Sequence, residues 1–243
     1  MLGITSLFDD YGLRARLLPT LLVVLPAAAV VALVFPNIYA TYARIFGSLG
    51  LVAVTLFFLA HVIRANGRAL EKRLYAAWGG ISTTAWLRHR DSRLDPITKA
   101  RYHSFLESHV PHLKMPSADE EARDPEKADH AYASAVKRLL EDTRDTKKYK
   151  LIFDENVYYG FRRNTLAAKP IALSLLLLEI VLVASVAYGR HGFNFEDFDA
   201  DTVAALFVAV VSSALWLLLV TKAWVQDGAD AYARALLASC EQG

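Results

Sequence analysis

One carboxyl group stands where carboxyl groups are rarely found. Glu179 is the ninth of 18 residues in the aliphatic run Ile171–Tyr188. If that run crosses a bilayer, the acid lies near the midplane, where an ionised carboxylate costs about 2.5–3.5 kcal/mol on insertion scales. Glu179 is therefore expected to face a helix interface or a wet cavity, or to hold a proton. Ser212 and Ser213 on the following run, and Thr55 on an earlier one, fall at a matching depth. Two roles suit such a group. One is a proton- or ion-pathway residue, or a gate that ionises on activation. The other is a neutral acid that hydrogen-bonds across helices and holds the assembly together.

A second candidate is the basic stretch Leu87-Arg88-His89-Arg90-Asp91-Ser92-Arg93, with Lys99 and Arg101 close behind. Guanidinium forks match phosphate and carboxylate geometry, so Arg88, His89, Arg90, Arg93 and Arg101 are candidate ligands for an anion, a nucleotide or a lipid headgroup. Near an inner leaflet each cation also attracts anionic lipid by about 1 kcal/mol. Surface salt bridges and a topology signal explain the same charges without any ligand. A third candidate is the junction Asp154–Asn164, where acids, aromatics and arginines precede the run at Ile171. Gly160 is expected there as a hinge, with Arg162 and Arg163 coupling a soluble domain to the run or anchoring at headgroups.

Other chemistry lacks its residues. His89, His103, His109 and His112 fit no zinc spacing, since there is no cysteine pair and no HExxH. Ser82, Thr83 and Thr84 near His89 and Asp91 do not form a GxSxG elbow. Glycine-rich phosphate loops are missing as well. No catalytic residue, metal site or cofactor is expected, and nucleic acid is not expected as a partner.

Positioning falls to helices. The 243 residues are 54% hydrophobic and 21% charged, but the apolar excess is concentrated in four runs. Leu17–Phe35 and Phe46–Ile63 carry no Asp, Glu, Lys or Arg, apart from the titratable His61 near the end of the second; Ile171–Tyr188 carries only Glu179, and Thr202–Thr221 none. A span needs roughly 20 mostly apolar residues, and lipid offers no partner to backbone amides, so such runs must be helical. The first run is also compatible with a signal peptide, given Arg14, Arg16 and Ala27–Ala29, though its length favours an uncleaved anchor. A disulfide framework is excluded because Cys240 is the only cysteine.

Between the runs, Arg64–Lys169 holds 21 bases against 15 acids, while the remainder holds 6 against 10. By the bias of Lys and Arg toward the cytoplasmic side, the central segment and both termini are expected inside, in the inner membrane. Asp95-Pro96 and Asp124-Pro125 each read as an N-cap followed by proline at the first helical position. Gly79-Gly80 breaks the chain, and Met115–Arg123 is expected as an acidic, mobile loop. The expected architecture is all-α, an integral membrane protein with four transmembrane helices in two hairpins and a small cytoplasmic helical domain. Its parts are 1–65 (helices about 17–35 and 46–63), 66–169 (the basic domain), 170–224 (helices about 171–188 and 202–221) and 225–243 (a cytoplasmic tail). Small residues at four-residue spacing, Ala28 and Ala32, then Ala205, Ala209 and Ser213, permit close helix approach within one subunit or between copies.

This layout, with its Gly160-Phe161-Arg162-Arg163-Asn164 junction and four uncharged or nearly uncharged runs, resembles the membrane effectors of bacterial anti-phage defence systems. The resemblance is architectural, and no residue is carried over on it. It implies a domain that senses a nucleotide messenger or cytosolic protein, and spans that oligomerise to permeabilise or conduct across the inner membrane. The expected partners are the bilayer, further copies of the chain, and such a ligand. The alternatives are a non-catalytic scaffold tethering a cytosolic partner, or a small transporter or channel subunit.

Overall fold

In the computed structural model, residues 10–37, 49–192 and 194–242 are described. Every regular element among them is helical. The first is α1, Asp10–Val34, which contains a π-helical turn at Leu13–Leu17. It is followed by α2 (Leu49–Ala77), the single turn α3 (Ser82–Ala85), α4 (Pro96–His109), α5 (Ala118–Arg123) and α6 (Pro125–Asp142). The long α7 (Lys150–His191), α8 (Ala200–Leu218) and α9 (Lys222–Leu237) complete the chain. Phe46–Ser48, the start of the second expected run, and most of the loop holding Arg44 lie outside the described residues.

Local chemistry accounts for the helix starts. Asp95 accepts from the Thr98 amide at 2.9 Å with Pro96 behind it, and Asp124 accepts from the Lys127 amide at 3.0 Å with Pro125 behind it. Each carboxylate takes one of the donors that a first turn leaves unpaired. Asp199 does the same for Thr202 at 2.7 Å. The expected loop over Met115–Arg123 is instead mostly helix α5. Ser117 and Glu120, three residues apart, close a reciprocal capping box at its start, an S-x-x-E pattern that marks a helix start. At the end of α2, Gly79 and Gly80 take φ of 75° and 137°, conformations that a side chain resists.

The chain divides into two compact units. One comprises Met1–Leu70 with Gly160–Trp224, the other Glu71–Tyr159 with Val225–Gly243. The expected boundaries at 65/66 and 169/170 fall inside α2 and α7. Residues 225–243 are not a free tail: Ala233, Leu236, Leu237 and Cys240 join the core of the second unit, with Tyr102, Leu106, Tyr132 and Leu139.

The first unit has two small apolar cores. Val23, Ile63, Ala172, Leu176 and Trp216 form one, and Val30, Val34, Val183, Ala205 and Ala209 the other. Among the described residues, three helices are long and apolar enough to cross a membrane: Asp10–Val34, Lys150–Arg190 and Ala200–Leu218. Only 28%, 28% and 22% of their most apolar windows is buried. Leu178, Phe207 and Leu218 are between 64% and 74% exposed. Such a continuous outward apolar surface far exceeds what a water-soluble monomer carries. The small residues Ala205 and Ala209 are fully buried against α1, so the four-residue spacing on α8 serves packing within the chain.

Candidate functional site

The loop after α3 carries the basic cluster, and the fold pairs its charges with carboxylates while Arg90, Arg93 and Arg101 stay exposed. Arg88 forms a two-pronged pair with Asp129, Nε to Oδ1 at 2.7 Å and Nη2 to Oδ2 at 2.8 Å, and also donates to the Gly79 carbonyl. A Cβ at Gly80 would lie 2.7 Å from Arg88 Nη2, so this glycine is what lets the guanidinium in. Arg90 pairs with Glu121 at 3.2 Å, Arg93 with Asp91 at 2.5 Å and Asp230 at 3.1 Å, and Arg101 with Glu241 at 2.9 Å. The four arginines expected to hold an anion are thus each matched by a carboxylate. His89 is also engaged: its amide donates to Glu121 Oε2 at 2.7 Å, and its Nε2 lies 2.9 Å from the Pro116 carbonyl.

Glu121 organises this loop. Its side chain is 3% exposed and accepts from the His89 and Arg90 amides, from Arg90 Nη1, and from the Tyr132 hydroxyl at 2.7 Å. Burial alone would raise its carboxyl, but the Tyr132 and backbone donors outweigh it and hold the group below the ordinary glutamate range. On the other side of the loop, Lys99 donates to the carbonyls of Arg88 and Asp91, and His103 Nε2 meets the Leu87 carbonyl at 2.8 Å. Burial lowers both the Lys99 ammonium and the His103 imidazole from their ordinary values. The loop's polar backbone groups are held by side chains from α4 and α5, while α6 holds the Arg88 and Glu121 side chains, which is the chemistry of a rigid scaffold. Glu121 is not singled out by the sequence, where the capping box over α5 is the available signal, and Lys99 stands there only as a cation following the basic stretch.

Two further features of this unit escaped the sequence reading. Glu71 Oε1 accepts from the Tyr75 hydroxyl at 2.9 Å and the Tyr159 hydroxyl at 2.7 Å, with the two hydroxyls 3.0 Å apart. Burial and the neighbouring oxygens raise Tyr159 well above the usual phenol range, so it stays a hydrogen-bond donor. The Cys240 thiol is pushed up to about 12 by burial, which leaves it a packing group rather than a nucleophile. Among the described residues no group of three or more His, Cys, Asp or Glu is placed to hold a metal.

In the first unit, Gly160 is a point of close approach on the helix α7. A Cβ at Gly160 would lie 2.7 Å from the Tyr11 hydroxyl and 3.2 Å from Ala15 Cβ. Arg162 donates to the Trp224 carbonyl at 3.0 Å and lies over the Trp224 ring, 5.4 Å from its centroid. Arg163 Nε donates to Asn164 Oδ1 at 3.4 Å. The residue that ties helices together at this junction is Asn164, 1% exposed, whose Nδ2 donates to the Ala15 carbonyl at 2.7 Å.

Glu179 is 4% exposed on the inward stripe of α7, with Leu176 and Val183 one turn away on either side. Both of its carboxyl oxygens are buried and neither has a hydrogen-bond partner among the described residues. The serines and threonine expected beside it do not reach it: Ser213 donates to the Ala209 carbonyl at 2.8 Å, Ser212 lines an apolar groove, and Thr55 is exposed on α2. Polar groups buried in this way are nearly always satisfied, so the orphaned acid is the strongest anomaly in the molecule.

No protein-family model matches the sequence, and no curated protein or solved structure is similar to it at a significant level.

Proposed function

We propose that the chain is a multi-pass inner-membrane protein, with four spans and a cytosolic helical domain, that acts as a ligand- or partner-gated membrane effector. The described part of α2 supplies the remaining span from Leu49 to Ile63, together with the residues before it. The basic unit, with 21 of the 27 Lys and Arg falling in Arg64–Lys169, lies on the cytosolic side with both termini.

The observation that carries the effector reading is the unpartnered carboxyl of Glu179. A buried polar group without a partner costs about 1–3 kcal/mol, a cost the spans relieve if they rearrange or assemble so that the acid meets a donor or water. The resting arrangement is therefore the less satisfied of two, which is what a gate requires. Activation brings copies together through the exposed faces of α7 and α8, opening a path or disrupting the bilayer. The ion-paired Arg88, Arg90, Arg93 and Arg101 brace the cytosolic unit; a nucleotide or protein ligand acts by displacing those pairs or by binding elsewhere on the unit.

Induced expression in a bacterial host, read by a potential-sensitive dye, tests this. The parent chain collapses the membrane potential and arrests growth, and Glu179→Leu restores both at equal membrane abundance. Equal depolarisation by parent and Glu179→Leu contradicts the mechanism. A stable potential with both, together with a cytosolic protein that co-purifies in stoichiometric amount, favours the scaffold reading.

A further inference from the structure

Between α1, α7 and α8 lies a groove of about 310 Å³ lined by Leu22, Pro26, Thr165, Leu215, Trp216 and Trp224 among others, nearly all of it apolar. Its dimensions and chemistry suit a hydrocarbon chain. One end is different. Arg162 lies over the Trp224 ring that walls it, and Lys169 donates to the carbonyls of Leu217 at 3.2 Å and Val220 at 2.8 Å, the latter residue also in the wall. Lys222 opens α9 two residues from Trp224 and is exposed. Among the described residues none of Arg162, Lys169 and Lys222 has a carboxylate partner. This is the reverse of the other unit, where Arg88, Arg90, Arg93 and Arg101 are all matched by acids. Lys169 and Arg162 are also held in place by the carbonyls at the α8–α9 turn, so their charge is positioned in advance.

An apolar slot ending at uncompensated, pre-positioned cations beside an indole has the chemistry of a phospholipid site. The chain fills the slot, the ring sits at headgroup depth, and guanidinium and ammonium meet phosphate. We infer that this groove binds one anionic glycerophospholipid of the bilayer, with an acyl chain along Leu22, Thr165 and Trp216 and its phosphate at Arg162 and Lys222. The inference rests on the membrane reading above but not on gating. A neutral lipid would leave the cations unmatched, and a helix of a second copy would need acids that the outward faces of the apolar helices lack.

The full chain, reconstituted in phosphatidylcholine vesicles, tests this with lipids brominated on the acyl chain, which quench tryptophan only at contact. Brominated phosphatidylglycerol quenches Trp216 and Trp224 with about thirtyfold preference over brominated phosphatidylcholine, the factor two cations supply at a surface. Arg162→Gln/Lys222→Gln, which keeps a donor for the Trp224 carbonyl, removes that preference without changing helicity. Equal quenching of the parent by both lipids overturns the inference in favour of a neutral lipid. Absence of quenching in a chain that floats with the vesicles overturns it in favour of a second copy. A chain that does not float at all overturns the membrane reading itself.

Discussion

Asn164 on α7 donates to the carbonyl of Ala15 at 2.7 Å, inside the π-helical turn of α1. π-Turns lengthen the hydrogen-bond register and expose carbonyls to outside donors, and here a buried amide supplies one. A third helix closes on the same side chain. A Cβ on Gly67 of α2 would fall 2.4 Å from Asn164 Oδ1, which is itself held by Arg163. Three helices of the first unit therefore meet at one amide.

Gly67→Ala should destabilise the chain by about 1–3 kcal/mol through overpacking, although alanine is the better helix former. Asn164→Ala alone should also destabilise, by loss of its bond to Ala15. In the Asn164→Ala background, Gly67→Ala should become neutral or stabilising. Thermal melts of the four proteins in one detergent, combined as a double-mutant cycle, check this; additive losses would show that the amide and the glycine do not share one contact.

Arg88 and Asp129 should behave as a structural pair rather than as half of a ligand site. Either alanine substitution is expected to cost about 1.5–3 kcal/mol, the range for hydrogen bonds to charged groups. Arg88→Lys should recover little, because an ammonium cannot make the two-pronged contact. Removing Asp129 after Arg88 should cost little further, since the remaining partner of Asp129 is the exposed Arg90 at 3.7 Å. Denaturant midpoints of the set provide the measurement, and full additivity would speak for independent roles.

Glu121 sets an acid limb of stability. Its folded carboxyl is held below the ordinary value of 4.5, so its contribution is complete above that pH and is lost as the pH falls through the depressed folded value. Glu121→Gln should therefore lower stability by about 3 kcal/mol at pH 7, and the gap between variant and parent should shrink below pH 4.5. Urea unfolding of both proteins from pH 7 to pH 3 reads this directly. A gap independent of pH would mean that the carboxylate is not charged where it sits.

Much of this was legible beforehand, and the reasons differ by element. The apolar runs at Leu17, Ile171 and Thr202 were plain because lipid-facing helices need no periodicity, only length. Asp95-Pro96 and Asp124-Pro125 announced α4 and α6 through backbone chemistry confined to three residues. The α5 turn was hidden by its acidity, which resembles a solvated loop until Glu121 is seen to be buried. Helix α9 reads as a tail although Val225, Ala229, Ala233 and Leu236 recur at helical spacing; the core that Ala233 and Leu236 join is built from segments more than 80 residues away. The site residues were the least legible. Sequence shows that Arg88, Arg90, Arg93 and Arg101 are close together, but their acids at positions 121, 129, 230 and 241 are distant. Glu179 was found because charge in an aliphatic run is anomalous in any fold; that its neighbours Ser212, Ser213 and Thr55 would not satisfy it depended on helix rotation, which hydropathy does not encode.

All of these expectations presuppose that hydrocarbon covers the outward leucines and valines of α1, α7 and α8. Extraction of membranes from producing cells with alkaline carbonate is the direct test. The chain should remain entirely in the pellet with integral proteins, because burying those faces in lipid outweighs any electrostatic attachment that high pH removes. Release of the chain into the supernatant would contradict the account at its root.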